Sequence, residues 1–472
     1  MLYNLSAASA VLKNIGYVAV AVLILLVMIT VHEAGHYFVG KIFKFKINEF
    51  AIGMGPAIFK KKLKSGEDFS IRILPLGGFC AFEGEDGETA DENAFSKKKP
   101  WQRILVLLAG ATMNYILALI VIILSFGVYG QQVMGAKYAD NYYPVGSEYY
   151  VGDSLENGDY ILSITKNGKK TGIYMTTDLI TALNHSKKGE KVVVEVAKKE
   201  GDKVSKNTKD KTVVLRCDVE CKNLLDVSKT YAALGIGSAV SFKPTESGKD
   251  RYFSENSYLF KVGKEDDYQA ATLISSTDEL TDYIKGKTGT IYFFTQGETA
   301  PISTAIEFPA GWNGEEEISI GVIENYLGVT FGGKEYYVVS DFARLGFFKT
   351  IGRSFVYSFK IAGTVLRSLG ELLTGKIGIN AVGGTITTIK TASQLISYGF
   401  YFALEITAFI GVNLAVFNLL PVPALDGARI VFCLIEWIFK KPVNRKVEAI
   451  IHGVGLVLLL GFAILVDLLQ FI

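Results

Sequence analysis

Cysteine and histidine are scarce in this chain, with four of each among 472 residues. So few cysteines exclude a disulfide-stapled scaffold and a cysteine-rich zinc module. Any metal site must draw on very few histidines, which are His32, His36, His185 and His452. Charge is also low: 20% of the residues are charged and the formal net charge is +2, which gives no support to a nucleic-acid partner.

Apolar residues, in contrast, are abundant. They make up 49% of the chain and the mean hydropathy is +0.29, a profile that excludes a disordered protein and indicates a membrane protein. Uncharged runs of spanning length predict four transmembrane helices, at about residues 14–31, 104–130, 398–420 and 449–466. We therefore predict a multi-pass α-helical membrane protein with four spanning helices.

Lysine and arginine near the ends of these runs predict their orientation. The loop after the first run and the loop between the last two runs are rich in both residues, whereas the opposite side has few. Positively charged loops tend to stay in the cytoplasm. We therefore expect both termini and the long middle segment to be extracytoplasmic.

The middle segment, residues 131–345, is polar and rich in glycine and tyrosine, which is typical of soluble folded domains. It repeats itself at a spacing of 100 residues, since Thr177-Asp178 recurs as Thr277-Asp278 and each copy places a short helical stretch before a β run. We interpret it as two related α+β modules, and a chance match of a few positions is the alternative. The predicted division of the chain is 1–130, 131–240, 241–345, 346–396 and 397–472.

Residues 346–396 are predicted to connect the modules to the third run. From Phe347 to Leu373, apolar residues recur at helical spacing with lysine and arginine interleaved, so this stretch is too charged to span a bilayer. An amphipathic helix on the outer membrane surface fits best. A helix packed on the soluble modules is the alternative.

The first run ends in the sequence HEAGH, residues 32–36. On a helix, residues four apart share one face, so the imidazoles of His32 and His36 can reach one metal ion, and Glu33 lies beside them. Imidazole ligands favour zinc. At 1.5 Å per residue, the pair would lie roughly 7–13 Å below the cytoplasmic end of the helix. Ionisable residues at such a depth are costly and are functional by default.

A third metal ligand has to come from elsewhere in the chain. The better candidate is Asp426, in the stretch NLLPVPALDG (residues 418–427), where two prolines break the third run near its cytoplasmic end. Two imidazoles and one carboxylate form the open site of a hydrolytic zinc. His452 is the other candidate, at the start of the last run. A proline-kinked turn with Asp426 as a helix cap is the structural alternative.

The HEAGH and NLLPVPALDG motifs together resemble the site-2 protease family of intramembrane zinc metalloproteases. The chain is most similar to the regulator-of-sigma-E (RIP metalloprotease) type, which carries PDZ domains between the second and third spans, and the resemblance covers nearly the whole chain. It implies His32, His36 and Asp426 as ligands of zinc (Zn2+). It also implies Glu33 as the general base.

The same resemblance implies a set of substrate-binding residues, which are Asn413, Asn418, Gly53, Gly55, Pro421 and Pro423. The two asparagines match family residues that contact the substrate backbone. The glycines lie in the stretch at residues 53–56 that, with residues 71–79, resembles the family's re-entrant β-hairpin. An exposed edge of that hairpin could pair with an unwound substrate, since strand addition demands little of its sequence. The prolines belong to the broken end of the third run.

The resemblance in the middle segment is to an extracytoplasmic tandem of PDZ-like domains. Residues 143–147 and 157–162 resemble the opening of a PDZ domain. The second module lacks an equivalent of Gly158-Asp159, so it resembles a degenerate PDZ domain. Residues 381–384 depart from the family's Gly-Pro-Ile-Gly type of segment, which predicts a different shape before the third span.

As a whole, the resemblance implies regulated intramembrane proteolysis in a bacterial cell membrane. The expected substrates are single-span membrane proteins, such as anti-sigma factors or remnant signal peptides, after a first outer cut. A membrane metal-ion transporter is disfavoured because Glu33 supplies a base and no inverted repeat of the spans is visible. A non-catalytic PDZ scaffold is disfavoured because Glu33 and Asp426 are both present.

Overall fold

The computed structural model divides into two compact units, Met1–Tyr129 with Leu345–Ile472, and Gly130–Arg344. We call them the helical unit and the β unit. The structure describes the chain except for residues 1, 86–88, 137–154, 156–157, 202, 216, 225, 235, 237, 247, 249–250, 254, 275, 298–299, 311–317, 337, 380–381, 442 and 471–472.

The helices of the described chain are α1 (Leu2–Ile42), α2 (Pro100–Val128), α3 (Thr177–Leu183), α4 (Val227–Ala233), α5 (Thr277–Ile284), α6 (Ile320–Leu327), α7 (Phe347–Leu373), α8 (Thr385–Ser397), α9 (Phe400–Asn418), α10 (Asp426–Phe439) and α11 (Arg445–Leu469). The strands are β1 (Ile47–Lys62), β2 (Asp68–Phe82), β3 (Gln131–Ala136), β4 (Asp159–Lys166), β5 (Lys169–Gly172), β6 (Lys191–Glu200), β7 (Lys203–Val214), β8 (Ser238–Pro244), β9 (Ser257–Gly263), β10 (Thr272–Leu273), β11 (Gly289–Thr295), β12 (Ile302–Phe308), β13 (Val329–Tyr336) and β14 (Val338–Ala343).

Four helices of the described chain are long and apolar enough to cross a membrane. They are Lys13–Ile42 of α1, Pro100–Val128 (α2), Phe400–Asn418 (α9) and Lys446–Leu469 of α11. Each contains one of the four predicted apolar runs or most of it. The prediction of four helices of spanning length is therefore confirmed, whereas the side that each loop faces stays a prediction.

Helix α2 is the central element of the helical unit, since it packs against α1, α7, α9 and α10. Small residues let these helices approach closely. A Cβ on Gly35 of α1 would collide with the Ala109 carbonyl of α2, and a Cβ on Gly411 of α9 would lie 2.9 Å from the Ala118 side chain. Close backbone approach through small residues is the usual packing of membrane helices.

Strands β1 and β2 form a two-stranded sheet in which both strands bend in the middle. Gly53 and Gly55 adopt φ angles of 85° and 84°, a region open to glycine, and a Cβ on Gly53 would lie 2.6 Å from the Leu74 carbonyl oxygen. Because of the bend, Phe50 has partners on two sides, Cys80 and Phe69. The predicted β structure after the first span is present, and its re-entry into the membrane stays a prediction.

Helix α7 has the bounds that the sequence predicts for an amphipathic helix. It packs on α2 and α9, and the hydroxyls of Tyr115 and Ser358 are hydrogen-bonded at 2.8 Å between α2 and α7. Its buried face is mixed, since Ser354 and Ser358 are fully buried together with the apolar Ile361, whereas Phe348 is 85% exposed. Its location on the outer membrane surface stays a prediction.

Helix α8 fills much of the connector before the third span and packs on α1, α9 and α11. Asp467 of α11 fixes its start, because its carboxylate accepts hydrogen bonds from the backbone of Ile386 and Thr387 at 3.0 Å each. Gly384 leaves room for that carboxylate, since a Cβ there would collide with it. In the segment that departs from the family pattern, residue 381 lies outside the described residues.

The β unit contains two six-stranded sheets in the described chain. One has the order β14-β3-β4-β6-β7 with β5 beside β4, and the other β12-β11-β9-β8-β13 with β10 beside β9. In each copy of the sequence repeat, a short helix precedes a strand, α3 before β6 and α5 before β11, as predicted. The first stretch that resembles a PDZ opening, residues 143–147, lies outside the described residues, as do residues 156–157.

Strand pairing joins the two ends of the β unit, and the predicted division at residue 240 stays a prediction. Strand β14, at the end of the segment assigned to the second module, pairs with β3 of the first sheet, and Val338 lies opposite Ala136. The strands of the second sheet all lie between β7 and β14 in the chain. The assignment of either module as a PDZ domain stays a prediction.

Candidate metal centre

The structure brings His32, His36 and Asp426 together in the helical unit, with their ligand atoms within 4.8 Å of one another. Asp426 Oδ2 lies 3.1 Å from His32 Nε2 and 3.4 Å from His36 Nε2. The two Nε2 atoms are 3.1 Å apart. Both imidazoles are buried, at 8% and 7% exposed, so the group lies in the interior of the unit.

Helix α2 holds the two imidazoles in place. His36 Nδ1 lies 2.8 Å from the carbonyl oxygen of Val106, and His32 Nδ1 lies 3.4 Å from Nδ2 of Asn114. Between them, Gly110 leaves the space that the rings occupy, because a Cβ there would lie 2.5 Å from His36 Nε2. Sequence reasoning did not find these α2 residues, since the chain gives no local signal that α2 packs on the HEAGH motif.

Asp426 reaches the histidines because the chain breaks before it. Helix α9 ends at Asn418 and α10 begins at Asp426, so the predicted helix break at the prolines is confirmed. In the loop, Ala424 has a φ angle of 80° and its backbone N–H donates to His452 Nδ1 at 3.0 Å. Of the two predicted candidates for the third ligand, Asp426 therefore meets the imidazoles. His452 instead contacts the loop that leads to Asp426.

A cavity of about 530 Å³ surrounds the three residues. Glu33 and Asn418 line it, as do residues 79–82 of β2. In the described chain, the other predicted substrate-binding residues are not part of this lining; they are Asn413, Gly53, Gly55, Pro421 and Pro423. The glycines lie at the bend of β1 and the prolines in the loop before α10.

The last residues of β2 run past the HEAGH motif. A Cβ on Gly78 would lie 3.5 Å from Cγ of Glu33, so the strand passes close to this carboxylate. Within the β1–β2 sheet, residues 78–82 pair with residues 47–52. The same part of β2 also lines the cavity. An edge of this strand therefore lies beside the three clustered side chains.

The donor atoms fit a metal ion. A carbonyl oxygen only accepts hydrogen bonds, so Val106 requires the hydrogen of a neutral His36 ring to sit on Nδ1. The Nε2 lone pair of His36 then points toward His32 Nε2 and the Asp426 carboxylate. Lone pairs crowded in this way repel one another unless a cation lies between them. Two imidazoles and a carboxylate with a second carboxylate nearby are the donor set of a metallopeptidase.

Comparison with known proteins gives the same class. The model of the family described as Peptidase family M50 matches residues 20–462. A Clostridium perfringens protein named as a candidate zinc metalloprotease is 30% identical over 457 residues, which cover 96% of this chain and 97% of the relative. The regulator of sigma E protease of Salmonella typhi is 27% identical over 470 residues, with coverage of 93% and 96%. The regulator of sigma E protease of Haemophilus influenzae is 26% identical over 460 residues, with coverage of 94% and 96%.

The chain belongs to Peptidase family M50, since the family model matches nearly its whole length. It is a metalloprotease, so the family resemblance and the enzyme class predicted from the HEAGH and NLLPVPALDG motifs are confirmed.

Proposed function

We propose that this chain is an intramembrane zinc endopeptidase that cuts single-span membrane proteins. The observation that carries the proposal is the meeting of His32, His36 and Asp426 in one cavity with Glu33, in a unit whose helices are long enough to span a membrane. Zinc is the metal in the names of several relatives, and the donor set suits it. When bound, zinc supplies Lewis-acid chemistry that polarises a peptide carbonyl.

Each side chain of the site then has one role. The two imidazoles and the Asp426 carboxylate hold the zinc, and the contact from the Val106 carbonyl orients the ring of His36. Glu33 lines the same cavity without belonging to the cluster, which suits a general base. It takes a proton from the attacking water and delivers it to the leaving amine.

The substrate has to present an extended backbone to this cavity, since a helix hides its peptide carbonyls in its own hydrogen bonds. The edge of β2 at residues 78–82 is suited to pair with such a segment, because strand addition needs only main-chain hydrogen bonds. Asn418 lines the cavity and can hold the substrate backbone through its amide. Gly53 and Gly55 allow the bend of β1 that presents this sheet.

Three of the predicted substrate-binding residues act at a greater distance in this proposal. Pro421 and Pro423 shape the loop before Asp426, and Pro423 packs against α11, where a Cβ on Gly455 would collide with it. Asn413 lies half-buried on α9, about one turn before the cavity-lining Asn418. We propose that it contacts the part of the substrate that remains outside the cavity.

The names of relatives in Salmonella and Haemophilus concern the regulation of sigma E. We extend this to the chain as a proposal: its substrates are membrane-anchored regulators such as anti-sigma factors, or remnant signal peptides, cut after a first outer cleavage. The β unit then limits entry to substrates that have already lost a bulky outer domain. A folded domain does not fit a gap that admits a single helix.

The proposed orientation places the β unit and both termini outside the cytoplasm, and the metal centre toward the cytoplasmic side. Its support is the bias of lysine and arginine in the loops. A cysteine introduced at Ser65, in the turn between β1 and β2, should be shielded from an impermeant thiol reagent in intact cells. A cysteine at Lys209, exposed on β7, should be labelled. The reverse pattern would contradict the orientation.

The experiment that tests the proposed function is Glu33→Gln in the full chain. This variant should keep its zinc and abolish cleavage, because Glu33 is placed beside the ligands and not among them. The readouts are zinc content of the detergent-purified protein and proteomics of membrane fractions, where uncut single-span proteins should accumulate. Loss of zinc or retained proteolysis would contradict the assignment.

A matched control for this variant is Glu405→Gln. Glu405 is also a carboxylate on a spanning helix, α9, but it accepts a hydrogen bond from the Tyr357 hydroxyl of α7 at 3.1 Å and does not line the metal cavity as the structure describes it. We expect this variant to keep both zinc and cleavage. Equal loss of cleavage in the two variants would show that cleavage needs both carboxylates of this unit, and would contradict a role special to Glu33.

A further inference from the structure

Asn114 is fully buried on α2 and has an unusual place beside the metal centre. Its Nδ2 lies 3.4 Å from His32 Nδ1, and its Oδ1 is buried with no hydrogen-bond partner in the described part of the chain. A buried amide oxygen without a partner is costly. The imidazole of His32, which lies beside the same amide group, is the candidate partner for this oxygen.

Helix α2 carries a stripe that matches the two histidines of α1. Val106, Gly110 and Asn114 are each four residues apart and therefore share one face of the helix. The Val106 carbonyl contacts His36, Gly110 makes room for both rings, and Asn114 contacts His32. The stripe thus offers one polar partner to the Nδ1 atom of each histidine.

The two partners differ in one respect. The Val106 carbonyl only accepts, which leaves Nε2 of a neutral His36 bare for a metal. An asparagine amide can donate through Nδ2 or accept through Oδ1, and a half-turn about its Cβ–Cγ bond exchanges the two. As placed, Nδ2 of Asn114 lies 3.4 Å from His32 Nδ1, and a half-turn of the amide brings Oδ1 to the same position.

We propose that Asn114 is a positioning residue that sets the tautomer of His32 by presenting the Oδ1 of its amide to Nδ1. In the zinc-bound protein, His32 must offer the bare Nε2, so its hydrogen moves to Nδ1 and the Oδ1 of Asn114 accepts it. This inference rests on the proposed zinc site and adds a residue that the two motifs do not contain.

The test compares zinc affinity in three variants of the full chain, measured by competition with a chelator in detergent. Asn114→Leu has nearly the same shape but cannot accept a hydrogen bond, so we expect zinc binding to weaken by about 10–100-fold. Asn114→Asp can accept from Nδ1, so its affinity should stay within about threefold of the parent chain. Ser125→Ala removes another buried polar group of α2, one that does not line the cavity, and should leave the affinity unchanged.

Thermal unfolding of the zinc-free variants separates positioning from packing. The proposal expects the loss of zinc affinity in Asn114→Leu without a matching loss of stability. Unchanged zinc affinity in Asn114→Leu would overturn it, and so would an equal loss of affinity in Asn114→Leu and Ser125→Ala. If Asn114→Asp does not fold, the comparison of the other two variants still decides. If the parent chain itself binds no zinc, the proposed function fails and not this inference alone.

Discussion

The two units of this molecule differ in the side chains that they bury and expose. In the β unit, the cores are apolar: Phe293 and Phe308 are fully buried in one sheet's cluster, and Leu179 in the other's. In the helical unit, Arg103 and Asn114 are fully buried, whereas Phe348 of α7 is 85% exposed. Both units contain buried apolar clusters, but the helical unit also leaves large apolar side chains exposed and buries polar ones at its centre.

The difference follows from the solvent that each unit is built for. In water, burying apolar side chains is the main driving force of folding. In a bilayer, apolar side chains gain little from leaving the lipid, and helices associate through close packing and polar contacts such as Tyr115 with Ser358. A unit of this kind can use its interior for chemistry, and the candidate metal centre lies in that interior.

The largest effect that we expect is the difference between replacing a histidine of the helical unit and replacing one of the β unit. His36→Asn should remove zinc and lower cleavage by about 10³-fold or more, because several kcal/mol of transition-state stabilisation go with the metal. His185→Asn in the β unit should leave both unchanged; asparagine tolerates its φ angle of 63°. Zinc content and cleavage of a trimmed single-span substrate measure this. Similar losses in both variants would contradict a metal site confined to the helical unit.

The next effect concerns the task of the β unit. Replacing Gly130–Arg344 by a flexible linker should leave cleavage of a trimmed substrate intact and make a substrate with its full outer domain cleavable as well. The same deletion combined with Glu33→Gln is the control, and it should cut neither substrate. If the shortened enzyme cuts the trimmed substrate and still refuses the full-length one, the filter proposal is wrong.

A smaller effect tests the two kinds of packing directly. Phe293→Ala, at a fully buried position of the β unit, should lower the free energy of unfolding of that unit by about 3–5 kcal/mol. Phe359→Ala on α7, where the side chain is 65% exposed, should change stability in detergent by less than about 0.5 kcal/mol. Urea unfolding followed by limited proteolysis measures both. Equal losses would show that α7 packs its aromatic face on protein.

The smallest effect is pH-dependent and concerns Glu67, which is 1% exposed in the turn between β1 and β2. Its carboxylate accepts hydrogen bonds from Lys41 at 2.8 Å and from the Tyr37 hydroxyl at 2.6 Å. Burial by itself would raise the pKa of Glu67, but these hydrogen bonds outweigh it and lower the pKa from 4.5 to about 2. The contact thus ties the sheet to the end of α1.

A lowered pKa means that this contact stabilises the fold fully above pH 4.5 and is lost as the pH falls toward 2. Glu67→Gln should therefore cost about 1–3 kcal/mol at neutral pH, and progressively less below pH 4.5. Asp68→Asn is the control, because Asp68 pairs with the half-exposed Lys60 at 3.1 Å and should matter by less than about 1 kcal/mol. Thermal unfolding against pH decides, and a pH-independent cost for Glu67→Gln would contradict the assignment.

The parts of this fold that the sequence predicts are those with a local signal. Apolar runs of spanning length predict the four spanning helices, and helical spacing predicts α7 from Phe347 to Leu373. The spacing of His32 and His36 predicts a shared ligand face, and the prolines predict the break before Asp426. Each of these signals lies within about one element, where backbone geometry alone relates the residues.

The parts that the sequence does not predict depend on which elements meet. Nothing near Val106 or Asn114 indicates that their helix lies on the HEAGH motif, and helix α10 was not expected between the last two spans. Strand β14 joins β3 across about 200 residues of chain. Such pairings are chosen by competition among many surfaces, so no short window of sequence contains them.

The sequence by itself determines the chemistry of this protein, since the scarce histidines, Glu33 and Asp426 leave few other metal sites to consider. Tertiary structure decides how that chemistry is arranged: the carbonyl of Val106 orients His36, Asn114 faces His32, and the edge of β2 lines the cavity. The physical reason is the distance along the chain over which each influence acts. Residue type and helical period act over a few residues, whereas the direction of a lone pair depends on a neighbour that packing brings from elsewhere in the chain.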